Sequence, residues 1–543
     1  PPLVRRLLAQ RGISGREMAE KYLRPRLQHL GDPFELDDLE QAVDRILHAV
    51  DEGQYICIYG DYDVDGVSSV ALLNEVLAAY GVQPHCFIPV RTKEGYGLSK
   101  EGIERAIAGC ARRPDLIITV DCGSSSVDEI RFLQEQGIDV VVIDHHEGGT
   151  QGRPPAVAVV NAKMQAGCEL TYLCSAGVVF KLAHGLLKKR RLANFDLRQY
   201  LDVVAIATVA DIVPLVAENR LLTRYGLRVL EQGSNLGLQA LNEVVGMKRS
   251  PNSSHVSFRL GPRINAAGRM DCPQDALELL MTHDVNRAQF LAQRLDQYNQ
   301  ARQQEEGKIR QQAIQILEAN FDPKRDLVVV LGSRQWHPGV VGIVASLIMR
   351  RYYRPTFIIS LDENGIGKGS GRSIPGVSLV KAIHACADTI ISGGGHDMAA
   401  GLMVAEDRID DFREAFNEYV RQSSSRETLK PVLMIDAEVD FPELTLDLLD
   451  SYELLEPFGN SNPQPVFMTR GVMLNCPPTH MQGNHLRLRL RQGNHEREAM
   501  YFNGGGRFLP DPPWDISFTI DRNTWRGRSS LSISIQDIRS AED

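Results

Sequence analysis

What is missing narrows the field before any motif is read. Nowhere in the 543 residues does an apolar run approach the roughly 20 residues needed to cross a bilayer, so no membrane contact is expected. The nine cysteines, an odd number, form no CxxC or CxxCH arrangement, which speaks against structural zinc and a disulfide framework. Cys57, Cys86 and Cys110 lie in or beside apolar stretches, where a free thiol packs as a small hydrophobe, and this usage fits a reducing cytoplasm. No GxxxxGK[ST] loop is present, so no nucleoside triphosphate is implied. An excess of positive charge is also missing. Lys and Arg number 60 against 69 Asp and Glu, for a net −9, which counts against nucleic acid unless basic residues cluster locally. Arg5 and Arg6 near the first residue lead into no apolar core or small-residue cleavage site, so the start reads as trimmed rather than as a signal peptide.

The length allows two to four domains. Between residues 54 and 160, the runs YICIYG, HCFIPV, DLIITVD and DVVVIDHH read as buried strands, with helical patterns at 67–79, 100–108 and 127–136. That alternation predicts βαβ units and a mainly parallel sheet. Residues 175–243 read as helical and 251–268 as polar and turn-rich. Residues 275–319 read as one charged, Gln-rich helical pattern interrupted only by weak breakers, long and polar on most faces, of the kind that bridges domains. A second α/β block starts at DLVVVLG (326–332) and runs through TFIIS, GIGKGSGRSIPG and SGGGHDMAAG. After residue 430, PVFMTRGVML, HLRLRLR, WDISFTIDR and SLSISIQDI alternate as in a small antiparallel barrel or sandwich.

Ligands of parallel α/β sheets collect at the carboxyl ends of strands, and here those ends carry acids and histidines. YICIYG runs into Asp61, Asp63 and Asp65; DLIITV ends in Asp121; VVVI ends in Asp144, His145 and His146; and Asp211 stands in the otherwise uncharged VVAIATVADIVPL. Acids at every second residue repel unless a proton or cation sits between them. Oxygen ligands favour Mg²⁺ or Mn²⁺, and an added imidazole moves the preference toward Mn²⁺. The mixture suits two ions roughly 3.5–4 Å apart that activate water and brace a phosphoryl group. A calcium loop is disfavoured, because position twelve counted from Asp61 is Leu72 rather than Glu. Taken singly, a strand-end Asp could equally cap a helix, and the histidine pair could be ordinary loop residues.

GDYDVDG, VDCGSSS, IDHHE and TVADIVPL, in this order, resemble the successive motifs of the DHH phosphoesterase superfamily. RTKEGYGLS, GPRINAAGRM, GSGRSIPG and GGGHDMAAG narrow the resemblance to the RecJ family of bacterial single-strand-specific 5′→3′ exonucleases, from about Pro2 onward. The resemblance implies DHH and DHHA1 α/β domains joined by a long helix, followed by an OB-like barrel. The expected divisions are 1–45 (helical), 46–275 (DHH), 276–322 (connecting helix), 323–425 (DHHA1) and 426–543 (barrel). It implies two divalent ions, Mn²⁺ or Mg²⁺, on Asp63, Asp65, Asp121, His145 and Asp211, with Asp61 a further candidate and His146 facing the scissile phosphate. Smaller superfamily members begin the first motif with a His where this chain has Tyr59.

Phosphate needs cations and amides around it. Gly393, Gly394 and Gly395 would offer amides at close approach and His396 a donor, although a triple glycine can also be a plain turn. By resemblance, Arg91, Ser370 and Arg372 bind a 5′-terminal phosphate, a task that suits the planar, always-charged guanidinium. Arg263, Asn265 and Arg269 fall together on GPRINAAGR and would line the cleft. In HLRLRLR the leucines alternate with Arg487, Arg489 and Arg491, which puts cations on one strand face. Tyr501, Phe502, Trp514, Phe518 and Trp525 lie nearby, and basic strands with aromatics suit single-stranded nucleic acid.

These features predict a monomeric, metal-dependent exonuclease that hydrolyses single-stranded DNA to 5′-mononucleotides in repair and recombination. Single-strand-binding protein and a helicase are expected partners by resemblance. A phosphodiesterase of oligoribonucleotides, cyclic dinucleotides or pyrophosphate is the enzymatic alternative, opposed by the bridging helix and the basic C-terminal region. A non-catalytic replication scaffold is opposed by the intact acids.

Overall fold

The computed structural model describes residues 1–90, 94–95, 97–247, 250–270, 272–425, 427–525 and 527–541. Arg91, expected to bind phosphate, lies outside them.

The first sheet comprises β1 (Ile56–Tyr59), β2 (His85–Phe87), β3 (Leu116–Val120), β4 (Asp139–Ile143) and β5 (Ala158–Val160), all parallel, in the order β2-β1-β3-β4-β5. Its central strands are almost wholly apolar because both faces are covered. Ile56, Ile58, Leu116 and Ile118 pack into one core, whereas Cys57, Tyr59, Ile117 and Val140 pack into another. The order reverses between β1 and β3, so the loops leaving their carboxyl ends diverge and open a crevice.

The second sheet holds β6 (Val329–Ser333), β7 (Thr356–Leu361), β8 (Ile366–Arg372), β9 (Ser392–Gly395) and β10 (Ala399–Ala405), in the order β6-β7-β8-β10-β9. Only β6 and β7 run parallel. The third is built from β11 (Ala437–Glu438), β12 (Phe467–Leu474), β13 (Thr479–Met481), β14 (His485–Gln492), β15 (His495–Tyr501), β16 (Trp514–Trp525) and β17 (Arg528–Ser540). A β12–β14 pairing closes β12-β16-β17-β15-β14 into a five-stranded barrel. This is the OB-like architecture expected after two α/β domains.

The bridging helix, Val285–Asn320, is about 54 Å long. Ala288, Leu291, Ala292 and Leu295 pack it into the first domain's core, and Ile309, Ala313 and Leu317 pack it into the second's. Two expectations are corrected here. The pattern 275–319 is two helices rather than one, Pro273–Met281 and Val285–Asn320, because the Asp284 side chain accepts from the Arg287 amide and starts a new helix. The turn-rich reading of 251–268 is also wrong: a π-helical turn, Val256–Leu260, leads into the Gly261–Arg269 helix. Pro262 sits in that helix's first turn, where a missing amide costs nothing, and Gly268 is needed for close packing rather than for a turn. The helices of the first 45 residues divide between two cores. Val4, Leu7 and Leu8 pack into the C-terminal barrel, and Leu39, Val43 and Ile46 pack against the first sheet.

Candidate metal centre and phosphate-binding strip

The loop after β1 turns at once into the Val64–Ala79 helix, and Asp63 caps that helix with one carboxylate oxygen, which accepts from the amides of Asp65 and Gly66 at 2.9 and 3.1 Å. The capping role that counted against a ligand thus uses only one of its oxygens. A Cβ on Gly66 would collide with the backbone of Asp61, so the tight turn demands glycine. Asn265 accepts from the Val64 amide at 3.1 Å and fastens the loop to the Gly261–Arg269 helix.

Asp65 is fully buried against the N-terminus of the Ser175–Lys189 helix, and its two oxygens accept from the Ser175 and Ala176 amides at 2.7 and 2.9 Å. Asp121 follows β3 with φ +62°, a left-handed conformation that is strained for a non-glycine residue. Asp211 ends the Leu201–Ala210 helix, where the negative end of the helix dipole opposes a carboxylate.

Among the described residues, three groupings have ligand atoms mutually within 4.8 Å: Asp61, Asp63 and Asp121; Asp65, His145 and Asp211; and Asp121, His145 and His146. The His145 Nε2 lies 3.4 Å from Asp121, 3.6 Å from Asp211 and 3.7 Å from Asp65. Neither His145 nitrogen, nor the Asp121 Oδ1, makes a hydrogen bond among the described residues. Burial and then neighbouring carboxylates push Asp65 up to about 6 and Asp211 up to about 8, and raise Asp121 well above the carboxylate range. Burial and the adjacent His146 push His145 down to about 3. Protonatable acids crowded round a neutral imidazole form an incomplete electrostatic arrangement that divalent cations would complete. The residues therefore fit two ions, with Asp121 and His145 shared between groupings and Asp61 as eligible as the others.

Asp144 was not singled out as a site residue, yet it organises the centre. One oxygen accepts from the His145 and His146 amides and lies 2.7 Å from the His146 Nδ1; the other accepts from the Ser124 amide at 2.9 Å. Burial opposes its ionisation, but the His146 contact together with the Ser124 amide and His145 outweighs that and holds Asp144 well below the usual carboxylate range. Burial lowers His146, but the bond and charge of Asp144, together with the Asp211 and Asp65 carboxylates, outweigh it and push His146 up to about 9. Asn161, also unsuspected, donates to the His146 carbonyl at 2.8 Å. Only the repeated proximity of Asp144 to the histidine pair hinted at its part. Tyr59 turns to the opposite face of the sheet, where its hydroxyl donates to the Gly97 carbonyl at 3.3 Å, and it joins none of the groupings.

The second sheet places the remaining candidates. Ser370, Gly401 and Gly394 sit side by side on β8, β10 and β9. A Cβ at Gly394 would meet nothing within 4 Å, so the glycines leave an exposed strip of bare backbone, with His396 exposed at its end. Arg372 donates to the Ser370 hydroxyl at 3.2 Å. Gly342, opening the Val341–Tyr352 helix, lies against both side chains. Arg269 reaches across to the Gly339 carbonyl at 2.9 Å, and Gly268 of the same helix abuts the Tyr62 carbonyl, so the strip is joined to the acidic loop through one helix.

Not every candidate gathers here. The Arg263 guanidinium is engaged by Asp296 at 2.8 Å and by the Arg259 carbonyl at 2.7 Å, which ties it to the bridging helix. Asn265 serves the acidic loop. On β14 the leucines are buried as expected, but Arg489 faces Glu498 at 3.6 Å and Arg491 pairs in register with Glu496, so the cationic face of Arg487, Arg489 and Arg491 is interleaved with acids. Of the nearby aromatics, Tyr501, Trp514 and Phe518 are core, and Phe502 is exposed.

Comparison with known proteins agrees with this geometry. Residues 55–208 match the DHH family N-terminal domain, 326–422 the DHHA1 domain and 435–537 the RecJ OB domain. The chain is 36% identical over 549 residues to the single-stranded-DNA-specific exonuclease RecJ of Bacillus subtilis (strain 168), covering 100% of this chain and 68% of that protein. It is 36% identical over 566 residues to the protein of the same name from Dickeya dadantii (strain 3937), covering 99% and 96%. A crystal structure of Thermus thermophilus RecJ in complex with Mn²⁺ superposes with a TM-score of 0.84 at 30% identity, covering 99% of this chain and 76% of that one. No helix among the described residues is long and apolar enough to cross a membrane. With the acids gathered at the strand ends and relatives matched along its whole length, the chain belongs to the RecJ family of DHH phosphoesterases.

Proposed function

We propose that this protein is a single-strand-specific DNA exonuclease that works from the 5′ end and releases 5′-mononucleotides. The convergence of Asp61, Asp63, Asp65, Asp121, Asp211 and His145 from four chain segments carries the reading. Divalent Mn²⁺ or Mg²⁺ held by these side chains would supply positive charge at the phosphoryl oxygens and acidify an attacking water. The chain's own part is positional. Asp144 fixes His146 as a donor toward the scissile phosphate, the Ser175 and Ala176 amides aim Asp65, and Asn265 with Gly268 sets the height of the acidic loop. Arg372, Ser370 and the glycine strip with His396 hold the terminal phosphate by charge-assisted bonds and amides, and Arg91 belongs to the same proposal. The barrel is a second contact for the strand, with Arg487, Arg489 and Arg491 contributing in so far as Glu496 and Glu498 leave them charge to offer. The five-part division given above, a monomeric cytoplasmic state, and single-strand-binding protein and a helicase as partners complete it.

The test is Mn²⁺-dependent digestion of single strands labelled at either end, with and without a 5′ phosphate. Early release of the 5′ label as a mononucleotide, with duplex attacked more slowly, is expected. Early loss of the 3′ label would overturn the polarity, and turnover of dinucleotides in preference to long strands would favour the small-substrate alternative.

A further inference from the structure

Beside Asp211 lies a cavity of about 370 Å³ bounded by the end of the Leu201–Ala210 helix, the π-helical turn with the Gly261–Arg269 helix after it, the bridging helix, the Val341–Tyr352 helix and a barrel loop. Two large apolar side chains on its wall are left in solvent, Ile212 at 70% and Phe258 at 76% exposure. Neither is a casual surface residue. Ile212 follows Asp211 directly and is held at φ +60°, a costly conformation for a β-branched residue, with its carbonyl gripped by Asn460 Nδ2 of the barrel loop at 2.6 Å. Phe258 projects from a π-helical turn, a distortion that concentrates at functional sites. The same wall contains Arg350 and Arg302; Arg302 is only 8% exposed, donates to Glu306 at 2.7 Å and to Asn299 at 2.9 Å, and keeps only its Nε without a hydrogen-bond partner among the described residues. An exposed ring and aliphatic side chain beside a buried, under-satisfied guanidinium match a ligand that is planar and apolar on one side and anionic on the other.

We propose that Phe258 and Ile212 form the platform on which one unpaired base of the substrate strand stacks beside the metal centre, with Arg302 facing the neighbouring phosphate. This rests on the exonuclease reading. It makes the platform a determinant of single-strand selectivity, because a base still paired to a second strand cannot turn its face onto the ring. Aromatic stacking is tolerant of base identity, as a non-sequence-specific nuclease requires.

The test uses short 5′-phosphorylated single strands carrying one abasic nucleotide at successive positions from the 5′ end, in single-turnover digestion with Mn²⁺. The unaltered protein should slow about tenfold when the abasic nucleotide occupies one particular position. Phe258→Ala should be slowed about tenfold on the intact strand and be indifferent to the abasic position, while Phe258→Tyr should keep the penalty. Mn²⁺ binding measured by calorimetry reports that the variants retain the centre. No positional penalty in the unaltered protein, or the same penalty in Phe258→Ala, would overturn the platform and leave the exonuclease standing. No hydrolysis of any strand by the unaltered protein would remove the exonuclease reading and the platform with it.

Discussion

Asp65 is held by two helix amides, with the His145 Nε2 3.7 Å away and no solvent to soften its charge. Removing it takes a carboxylate from the grouping with His145 and Asp211 without touching the glycine strip. Asp65→Ala should therefore lower Mn²⁺-dependent strand cleavage by roughly a thousandfold or more while leaving strand binding within a few-fold; parallel rate and gel-shift measurements check this, and equal loss of both would show a folding defect. The raised carboxyls also set a pH dependence. An unfolded Asp loses its proton near pH 4, whereas Asp65 and Asp211 hold theirs to about 6 and about 8. The metal-free folded state therefore binds more protons than the unfolded one across that window, and its stability falls as pH rises. Metal must displace those protons, so affinity rises over the same window. Mn²⁺ should raise the melting temperature more near pH 8 than near pH 5, as calorimetry can read; an equal shift would contradict the coupling. The acids were legible in the sequence because they interrupt apolar strands at their ends. The organising role of Asp144 was not, since nothing in the chain order says which carboxylate turns inward to hold its own neighbours.

At the scale of single elements, the Gly261–Arg269 helix matters more than its residue types suggest. It touches the acidic loop twice, through Asn265 and at Gly268, where a Cβ would stand 2.6 Å from the Tyr62 carbonyl and 3.0 Å from its ring. Gly268→Ala should push the loop off its seat, costing about 1–3 kcal/mol of stability and weakening Mn²⁺ binding about tenfold. Titration calorimetry alongside thermal melting tests this, and unchanged affinity would mean the loop is placed independently of the helix. Sequence reading took this stretch for a turn because Pro262 and two glycines look like breakers. Their actual uses, a first-turn proline and a close helix–loop approach, depend on what packs alongside. The basic face of β14 failed for a related reason. Alternation correctly buried Leu486, Leu488 and Leu490, but the acids opposite Arg489 and Arg491 are set by the register with β15, which no local pattern encodes.

Across the whole molecule, the parallel sheet and the succession of two α/β blocks and a barrel were readable from the alternation of apolar runs, but the strand order and the route of the first helices were not. The Pro2–Gln10 and Arg16–Leu23 helices belong to the C-terminal barrel, with Leu7 fully buried there and Arg11 and Tyr22 both bonded to Asn462. Arg220 of the first domain, itself buried, gives its guanidinium to the carbonyls of Leu454 and Leu455. A chain shortened to end before β11 should melt markedly lower and be cut rapidly by protease within residues 2–23, and survival of that segment uncut would show that it docks elsewhere. Intact, the segment poses a problem of timing during synthesis. The Pro2–Leu23 helices rest on strands made some four hundred residues later, so they must wait, apolar side outward, while the residues between them emerge. A chaperone able to shelter those two helices would then matter more to the yield of folded protein than any aid given to the two α/β sheets, each of which can close on residues near it in sequence.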